Sequence, residues 1–309
     1  MSILVVGSIA LDTVKTPFGE ATDVLGGSAN FFSAAASMFS PVRVVAVVGD
    51  DYPIDDLDFL KARNVDFGGL ERAPGNSFRW GGTYSFDLNS RETNFTDLGV
   101  FADFTQKIPE EFRDSQYVFL GNIDPVLQLE VLKQVNDPRL VICDTMNYWI
   151  GGERHDALIE LLEHVDLLMV NDEEARQLAD HHNLLVAARR IQEMGPTHVV
   201  VKKGEHGAAI FGEDTVFFVP GFPLEEVFDP TGAGDSFAGG FVGHLASMGS
   251  ERDGDYRRAM VYGSAMGSFA VEMFSVDRFR TLSSGEIFNR VREFREMTTF
   301  EHVIPDVEP

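Results

Sequence analysis

Short apolar runs of strand length recur along the chain and alternate with segments of helical periodicity. The runs are residues 3–9, 42–48, 117–120, 140–143, 167–170 and 198–201. Each is apolar almost throughout, which is typical of strands buried on both faces of a parallel sheet. Helical patterns separate the later runs, at residues 126–135, 156–164, 173–180 and 184–194. The alternation predicts an α/β fold whose right-handed crossovers build a mostly parallel sheet.

This alternation is interrupted between residues 68 and 103. The β-prone segments there are 78–80, 83–87 and 93–96, separated by Gly81-Gly82 and by Asn89-Ser90-Arg91. They predict a small antiparallel patch. Its aromatic side chains and arginines could cover a substrate as a lid, or the patch could be a plain hairpin with its rings packed inward. A further antiparallel hairpin is expected at the sheet edge, from segments 208–211 and 216–219 joined through 212–214.

Charge and composition exclude several classes of partner. The chain has 309 residues, 49 Asp and Glu against 25 Lys and Arg, and a formal net charge of −24. Such acidity argues against a nucleic acid or an anionic membrane surface as partner. The apolar N-terminal run is too short for a signal peptide, and the weakly polar stretch 259–274 is too short for a bilayer span. We therefore expect a cytoplasmic protein, with its single cysteine, Cys143, buried in a strand.

A glycine-rich turn precedes a helical pattern late in the chain. It reads Asp229-Pro230-Thr231-Gly232-Ala233-Gly234-Asp235. The backbone N–H groups of Gly232, Ala233 and Gly234 could converge on an anion, aided by the positive end of the helix dipole. Asp235 has two interpretations. It could cap the helix, or it could serve as a general base beside the anion.

Polar residues near the N-terminus form a second candidate site. Asp12 follows the first apolar run, where open α/β sheets place ligands, although it could be a simple turn residue. The pair Gly26-Gly27 lets a ligand approach the backbone, and the amide of Asn30 can donate and accept hydrogen bonds.

Two further motifs follow later strands. Asn171 and Glu174 have the spacing of a helix cap and its third residue, which is ordinary helix-start chemistry. The turn Lys202-Lys203-Gly204-Glu205-His206-Gly207 could hold phosphates or could simply be solvated.

Together and in this order, these motifs resemble the ribokinase-like (PfkB-type) carbohydrate kinases over residues 2–274. The resemblance implies a three-layer sandwich with a mostly parallel central sheet and a small β lid. The kinase domain is expected at residues 1–300, with lid segments at about 75–103 and at 13–25, and a tail at 301–309. It also implies ATP-dependent phosphorylation of a hydroxyl by direct in-line transfer.

The resemblance also assigns roles to individual residues. Asp235 is then the base, and the backbone of Gly232, Ala233 and Gly234 is the anion hole. The residues implied in substrate binding are Asp12, Gly26, Gly27 and Asn30, to which Arg91 of the lid is added as a group that could meet an anionic substrate. Those implied in nucleotide binding are Asn171, Lys203, Gly204, Glu205, Gly207 and Thr231. Glu174 is expected to hold Mg²⁺ through water, and a monovalent cation is expected near Asp229.

Some questions stay open at this point. Segment 13–25 is short for a pair of lid strands, so most of the lid is expected from about 75–103, and either a monomer or a homodimer is compatible with the sequence. A sugar is favoured as the substrate, with a nucleoside kinase or a non-catalytic sugar- or nucleotide-binding regulator as alternatives. A dinucleotide-dependent oxidoreductase is disfavoured, because no Gly-x-Gly-x-x-Gly follows the first apolar run.

Overall fold

The computed structural model describes residues 1–105, 107–213 and 215–300, and these form an α/β fold with two sheets. The strands are β1 (Ile3–Val6), β2 (Ala10–Thr16), β3 (Gly19–Gly26), β4 (Val42–Val48), β5 (Val65–Arg72), β6 (Phe78–Tyr84), β7 (Arg91–Asp97), β8 (Tyr117–Leu120), β9 (Leu140–Asp144), β10 (Leu167–Asn171), β11 (His198–Lys202), β12 (Ala208–Phe211) and β13 (Val216–Val219). The helices are α1 (Ser28–Ala36), α2 (Asp58–Lys61), α3 (Pro125–Leu132), α4 (Asn147–Ile150), α5 (His155–Leu162), α6 (Asp172–Ala179), α7 (Leu184–Gln192), α8 (Ala233–Met248), α9 (Asp253–Ala270), α10 (Asp277–Thr281) and α11 (Ser284–Thr298).

The large sheet has nine strands in the order β13-β12-β11-β10-β9-β8-β1-β4-β5. Its strands from β11 to β5 are parallel, as the continuous apolar runs predict. β12 and β13 form the expected antiparallel hairpin at the edge. The chain builds the sheet outward from β1 in both directions, and such a switch point is where open α/β sheets bind ligands.

Helices cover both faces of this sheet, which gives the predicted three-layer sandwich. One apolar layer joins the sheet to α1, α8, α9 and α11, and contains the stacked rings of Phe32 and Phe119. The other joins the sheet to α3, α5, α6 and α7. Alternate residues of each strand enter the two layers, so the interior strands read as unbroken apolar runs in the sequence.

The second sheet is small and has four strands in the order β3-β2-β6-β7; it is called the lid sheet below. β2 pairs with β3 antiparallel and with β6 parallel. Two predictions are wrong here. Segments 78–80 and 83–87 are not separate strands, because β6 runs unbroken through Gly81 and Gly82. The lid does not come mostly from residues 75–103, because β2 and β3 supply half of its strands.

A few other elements differ from expectation. β5 was not predicted, because Asp66, Gly68 and Gly69 interrupt its apolar pattern. The sequence pattern of residues 54–63 predicts a helix, but the segment forms a 3₁₀ turn, Ile54–Leu57, followed by the short α2. The tail at 301–309, and Asp214 in the turn between β12 and β13, lie outside the described residues. Within the described part of the chain, no helix combines the length and apolarity that a membrane span requires.

Candidate active site

The N-terminus of α8 is built from backbone alone. Gly232 is its N-cap with φ 72°, and no side chain caps the helix within the described residues. The first helical hydrogen bond runs from the N–H of Ser236 to the carbonyl of Gly232, at 2.8 Å. The amides of Gly234 and Asp235 precede this bond and therefore lie at the positive end of the helix dipole. Of the predicted anion-hole residues, Ala233 instead donates its N–H to the carbonyl of Pro230, at 3.2 Å.

Asp235 is the third residue of α8, so its interpretation as the N-cap is wrong. Gly232 takes that place because its left-handed backbone conformation suits glycine. A Cβ atom at Gly232 would come within 2.2 Å of the Phe31 ring, which leaves no room for a side chain. The carboxylate of Asp235 is thereby left available beside the helix N-terminus.

The structure brings Asp12, Gly26, Gly27 and Asn30 close together. A Cβ atom at Gly26 would lie 2.0 Å from the carboxyl carbon of Asp12, so this glycine allows the carboxylate to pack on the backbone. Asn30 donates its amide N–H₂ to the carbonyl of Gly26, at 2.8 Å, and to the Tyr52 hydroxyl, at 2.9 Å. The Oδ1 atom of Asn30 is buried and has no partner within the described residues. A buried acceptor of this kind suits a ligand hydroxyl.

One face of the lid sheet turns toward this site. Side chains paired in register point to the same face, and Trp80 pairs with Asp12 while Tyr84 pairs with Arg91. Thr231, in the turn before α8, donates its hydroxyl to the Tyr84 hydroxyl at 3.1 Å. The guanidinium carbon of Arg91 lies 5.2 Å from the centre of the Trp80 ring. This face therefore presents an aromatic ring and a cation next to Asp12.

The Trp80 ring lies along β6, over Gly82 of the same strand. A Cβ atom at Gly82 would come within 2.3 Å of that ring. Because Gly82 has no side chain, there is room for the indole ring of Trp80 at this position.

A buried ion pair lies beneath the N-terminus of α8. The Nζ atom of Lys202 is 2.6 Å from a carboxylate oxygen of Asp144, and their side chains are 17% and 6% exposed. The same Nζ atom is 3.2 Å from the position that a Cβ atom at Gly234 would take. Asp144 was not among the predicted site residues, and in the turn 202–207 the predicted nucleotide-binding lysine was Lys203 rather than Lys202.

Asn171 and Glu174 form the predicted capping box of α6. Glu174 accepts a hydrogen bond from the N–H of Asn171, and Asn171 accepts one from the N–H of Glu174, both at 2.8 Å. This helix start brings a buried carboxylate to the ends of β9, β10 and β11. The two residues thus have an ordinary structural function and a place at the site at the same time.

Carboxylates at this centre have raised pKa values. Burial, reinforced by the charge of Asp144, raises the pKa of Asp235 to about 7, against the opposing effects of Lys202 and Arg91. Burial and Asp144 likewise raise the pKa of Glu174 to about 7. Burial and the charge of Asp229 raise the pKa of Asp12 to about 7. An excess of buried negative charge of this kind favours the binding of cations.

Asp229 ties the turn before α8 to the segment after α9. Its two carboxylate oxygens accept the backbone N–H groups of Thr231, at 2.8 Å, and of Ser275, at 3.3 Å. Burial raises its pKa despite these hydrogen bonds. The monovalent cation expected near Asp229 stays a prediction.

The predicted nucleotide turn lies beside the tip of the lid. Asn89 donates to a carboxylate oxygen of Glu205 at 3.4 Å, and Gly204 has φ 54°. Gly207 closes the turn, because its carbonyl accepts the N–H of Lys203 at 2.8 Å. The lysine that reaches the carboxylate cluster is Lys202, one residue before Lys203.

The motif order and the fold agree with a comparison against protein families. The family model described as pfkB family carbohydrate kinase matches residues 3–279. The chain belongs to this family. It is therefore a kinase, a phosphotransferase that uses an alcohol group as acceptor.

Individual relatives give more detail. The chain is 29% identical over 253 residues to the cytidine kinase of Thermococcus kodakarensis, covering 78% of this chain and 87% of that protein. It is similar in fold to a structure described as ribokinase II from E. coli in complex with ATP and Mg²⁺, with a TM-score of 0.79, 22% identity, and coverage of 94% and 99%. It is also similar to the Burkholderia thailandensis nucleoside kinase in complex with inosine, with a TM-score of 0.75, 21% identity, and coverage of 94% and 98%.

The donors at the PfkB-type site fit a nucleotide with its Mg²⁺. Carboxylate oxygens are the ligands that Mg²⁺ prefers, and it commonly keeps several waters. No group of three or more His, Cys, Asp or Glu side chains that could hold a metal ion occurs among residues 1–105, 107–213 and 215–300. The buried carboxylate of Glu174 is the group that would hold a hydrated Mg²⁺.

Asp144 was not predicted from the sequence, and Lys202 was considered only as part of the turn 202–207 that could hold phosphates. Asp144 is the last residue of β9, and the apolar run was ended one residue earlier, at Cys143. A polar residue that ends a buried run was the available signal. The lysines and glycines of the turn 202–207 were a local signal, but they did not distinguish Lys202 from Lys203, because the partner of Lys202 lies two strands away in the sheet.

Proposed function

We propose that the protein is an ATP-dependent nucleoside kinase that phosphorylates a ribose hydroxyl. The observation that carries the kinase chemistry is the position of Asp235 in the first turn of α8, where its carboxylate lies beside the N-terminal amides of the helix and has a pKa of about 7. A general base acts best when its pKa lies near the working pH. The nucleoside is preferred to the sugar favoured by the sequence, because the cytidine kinase relative spans most of this chain.

The proposed reaction is a single in-line transfer. The acceptor oxygen attacks the γ-phosphorus of ATP, its proton passes to the carboxylate of Asp235, and the bond to the bridging β-oxygen breaks with its electron pair leaving on ADP. The amides of Gly234 and Asp235 stabilise the phosphoryl oxygens. Glu174 would hold a hydrated Mg²⁺, which would supply neutralisation of charge on the nucleotide.

The nucleoside has a suitable surface on the lid sheet. Asp12 and the unpartnered Oδ1 atom of Asn30 would bind the ribose hydroxyls. Trp80 lies on the same face as Asp12 and offers a ring on which a base can stack. Stacking of a base on an aromatic side chain contributes about 1–3 kcal/mol.

The first experiment is a kinase assay on a mixed pool of nucleosides, sugars and sugar phosphates, read by the mass increase of the phosphorylated product. We expect a nucleoside to be phosphorylated. Phosphorylation of sugars alone would refute the nucleoside proposal, and ATP binding without any product would favour the non-catalytic regulator. The Asp235→Asn variant should lower kcat by about 10²–10⁴-fold while ATP affinity stays nearly unchanged.

A matched pair of lid variants tests the acceptor surface. Trp80→Ala should raise the KM for the nucleoside by roughly 5-fold to 150-fold, the equivalent of one lost stacking contact. Phe86→Ala is the control, because Phe86 is an aromatic residue of the same lid that is 84% exposed. Equal effects of the two substitutions would contradict the stacking assignment. The cytoplasmic location and the choice between monomer and homodimer stay predictions.

A further inference from the structure

Lys202 crosses a neighbouring strand to reach its partner. In the large sheet, Lys202 of β11 is in register with Asn171 of β10, and Met169 of β10 is in register with Asp144 of β9. These four residues therefore lie on one face of the sheet, the face that carries α8. The side chain of Lys202 spans β10 on that face, and its ammonium group ends at Asp144, 2.6 Å away.

The end of this side chain lies at the phosphoryl site proposed above. Its Nζ, Cε and Cδ atoms are 3.2, 3.8 and 3.8 Å from where a Cβ atom at Gly234 would stand. Gly234 carries one of the backbone amides that precede the first helical hydrogen bond of α8. A positive charge beside the positive end of a helix is unfavourable unless an anion is present. The carboxylate of Asp144 supplies an anion at this point.

The charged groups around Lys202 favour the protonated, positively charged form of its side chain. Burial alone would lower the pKa of its ammonium group, but the carboxylates of Asp144 and Glu174 outweigh burial and hold that pKa above its usual value. Asp235 adds to this effect. Arg91 acts on the same carboxylates from the exposed lid, whereas Lys202 acts from the buried body of the protein.

Stability alone is a weak reason for this pair. Replacing a buried ion pair by apolar residues of similar volume is often neutral or stabilising, because removing two charges from water is expensive. A fixed cation is worth more where negative charge develops during a reaction, since it needs no rearrangement at that moment.

We propose that Lys202 is a catalytic residue, whose ammonium group contacts the transferring phosphoryl group at the N-terminus of α8, and that Asp144 is a positioning residue that holds it there. This inference rests on the proposed phosphoryl transfer. When the acceptor–oxygen bond to phosphorus forms and the bond to ADP breaks, negative charge spreads over the three equatorial oxygens. Lys202 adds a side-chain cation to the backbone amides and stabilises that charge.

The test compares Lys202→Ala with Lys133→Ala in steady-state kinetics. Lys133 is the matched control, because it also pairs with a carboxylate, that of Glu130 at 2.5 Å, but on an exposed surface. We expect Lys202→Ala to lower kcat by about 10²–10³-fold with a much smaller change in the KM of the acceptor, as for loss of an oxyanion donor. Added propylammonium should restore part of kcat, whereas propanol, which has a similar shape and no charge, should not.

A second variant covers the case in which Lys202→Ala does not fold. The double variant Lys202→Met, Asp144→Leu replaces both charges by apolar groups and should keep the fold while losing kcat to the same degree. A folded variant of either kind with kcat within about threefold of the wild type would overturn the proposal. So would lost activity that propylammonium does not restore, since that result indicates a structural role. A wild-type protein that phosphorylates no acceptor would instead refute the proposed function, and this inference with it.

Discussion

Replacing Gly232 by alanine should destabilise the protein by a predictable amount. Gly232 has φ 72°, and the left-handed conformation costs an alanine roughly 1–2 kcal/mol. The new Cβ atom would also lie 2.2 Å from the ring of Phe31, which is 2% exposed and cannot move into solvent. Overpacking of this kind costs about 1–3 kcal/mol. We therefore expect the free energy of unfolding to fall by about 2–5 kcal/mol.

Two other glycines separate these contributions in urea unfolding experiments. Gly204 has φ 54°, but the nearest atom to its added Cβ is 3.8 Å away, so Gly204→Ala measures the backbone cost alone. Gly254 lies in α9 without a positive φ, and no atom of the described residues lies within 4 Å of its added Cβ, so Gly254→Ala should be neutral or stabilising by up to about 1 kcal/mol. A Gly232→Ala variant no less stable than Gly204→Ala would refute the reasoning about Phe31. A Gly204→Ala variant as stable as Gly254→Ala would refute the reasoning about the backbone.

Three further predictions follow from the charges of the molecule. Activity should fall as the pH drops through about 7, because Asp235 then takes up a proton and cannot act as the base; an acid limb near pH 4 in the pH–rate profile would contradict this. His244 should destabilise the protein in acid: burial lowers its pKa to about 4, so between about pH 6.5 and 4 the unfolded chain binds a proton that the folded chain does not. The variant His244→Phe should therefore lose about 2 kcal/mol less stability than the wild type between pH 7 and pH 5 in urea unfolding; an equal loss would show that this histidine is not responsible. Added KCl should raise the urea midpoint, because the net charge of −24 repels itself less when the Debye length shrinks from about 10 Å to about 3 Å at 1 M salt; an unchanged midpoint would contradict this.

Local sequence patterns predicted the secondary-structure elements that are determined by residues close to one another in the sequence. The interior strands are apolar on both faces, so runs such as residues 167–170 identify them directly. The start of α6 was equally clear, because Asn171 and Glu174 satisfy each other's backbone N–H groups within four residues. The turn before α8 was recognised from its small residues, and the family model confirms the resemblance based on it.

Features that depend on distant partners were predicted less well. β5 is an edge strand that is held by β4, and its own pattern is too broken to identify it. Asp235 was given a capping role as an alternative because the sequence does not show that Phe31 fixes Gly232 as the cap. The pair Lys202 and Asp144 requires knowledge of which strands are neighbours in the sheet. Each of these features is determined by contacts between residues that are distant in the sequence.

The lid sheet bears on how the protein would discriminate between its acceptor and water. Asp12 lies on β2 and thus belongs to the lid sheet, whereas Asp235 lies in the first turn of α8, a helix of the three-layer body. The residue expected to recognise the acceptor and the residue expected to deprotonate it are therefore carried by different sheets of the molecule. A water molecule cannot contact Asp12 and Asp235 at the same time, whereas an acceptor with several hydroxyls can. We therefore expect slow hydrolysis of ATP when no acceptor is bound, because only an acceptor with several hydroxyls contacts Asp12 and Asp235 at the same time.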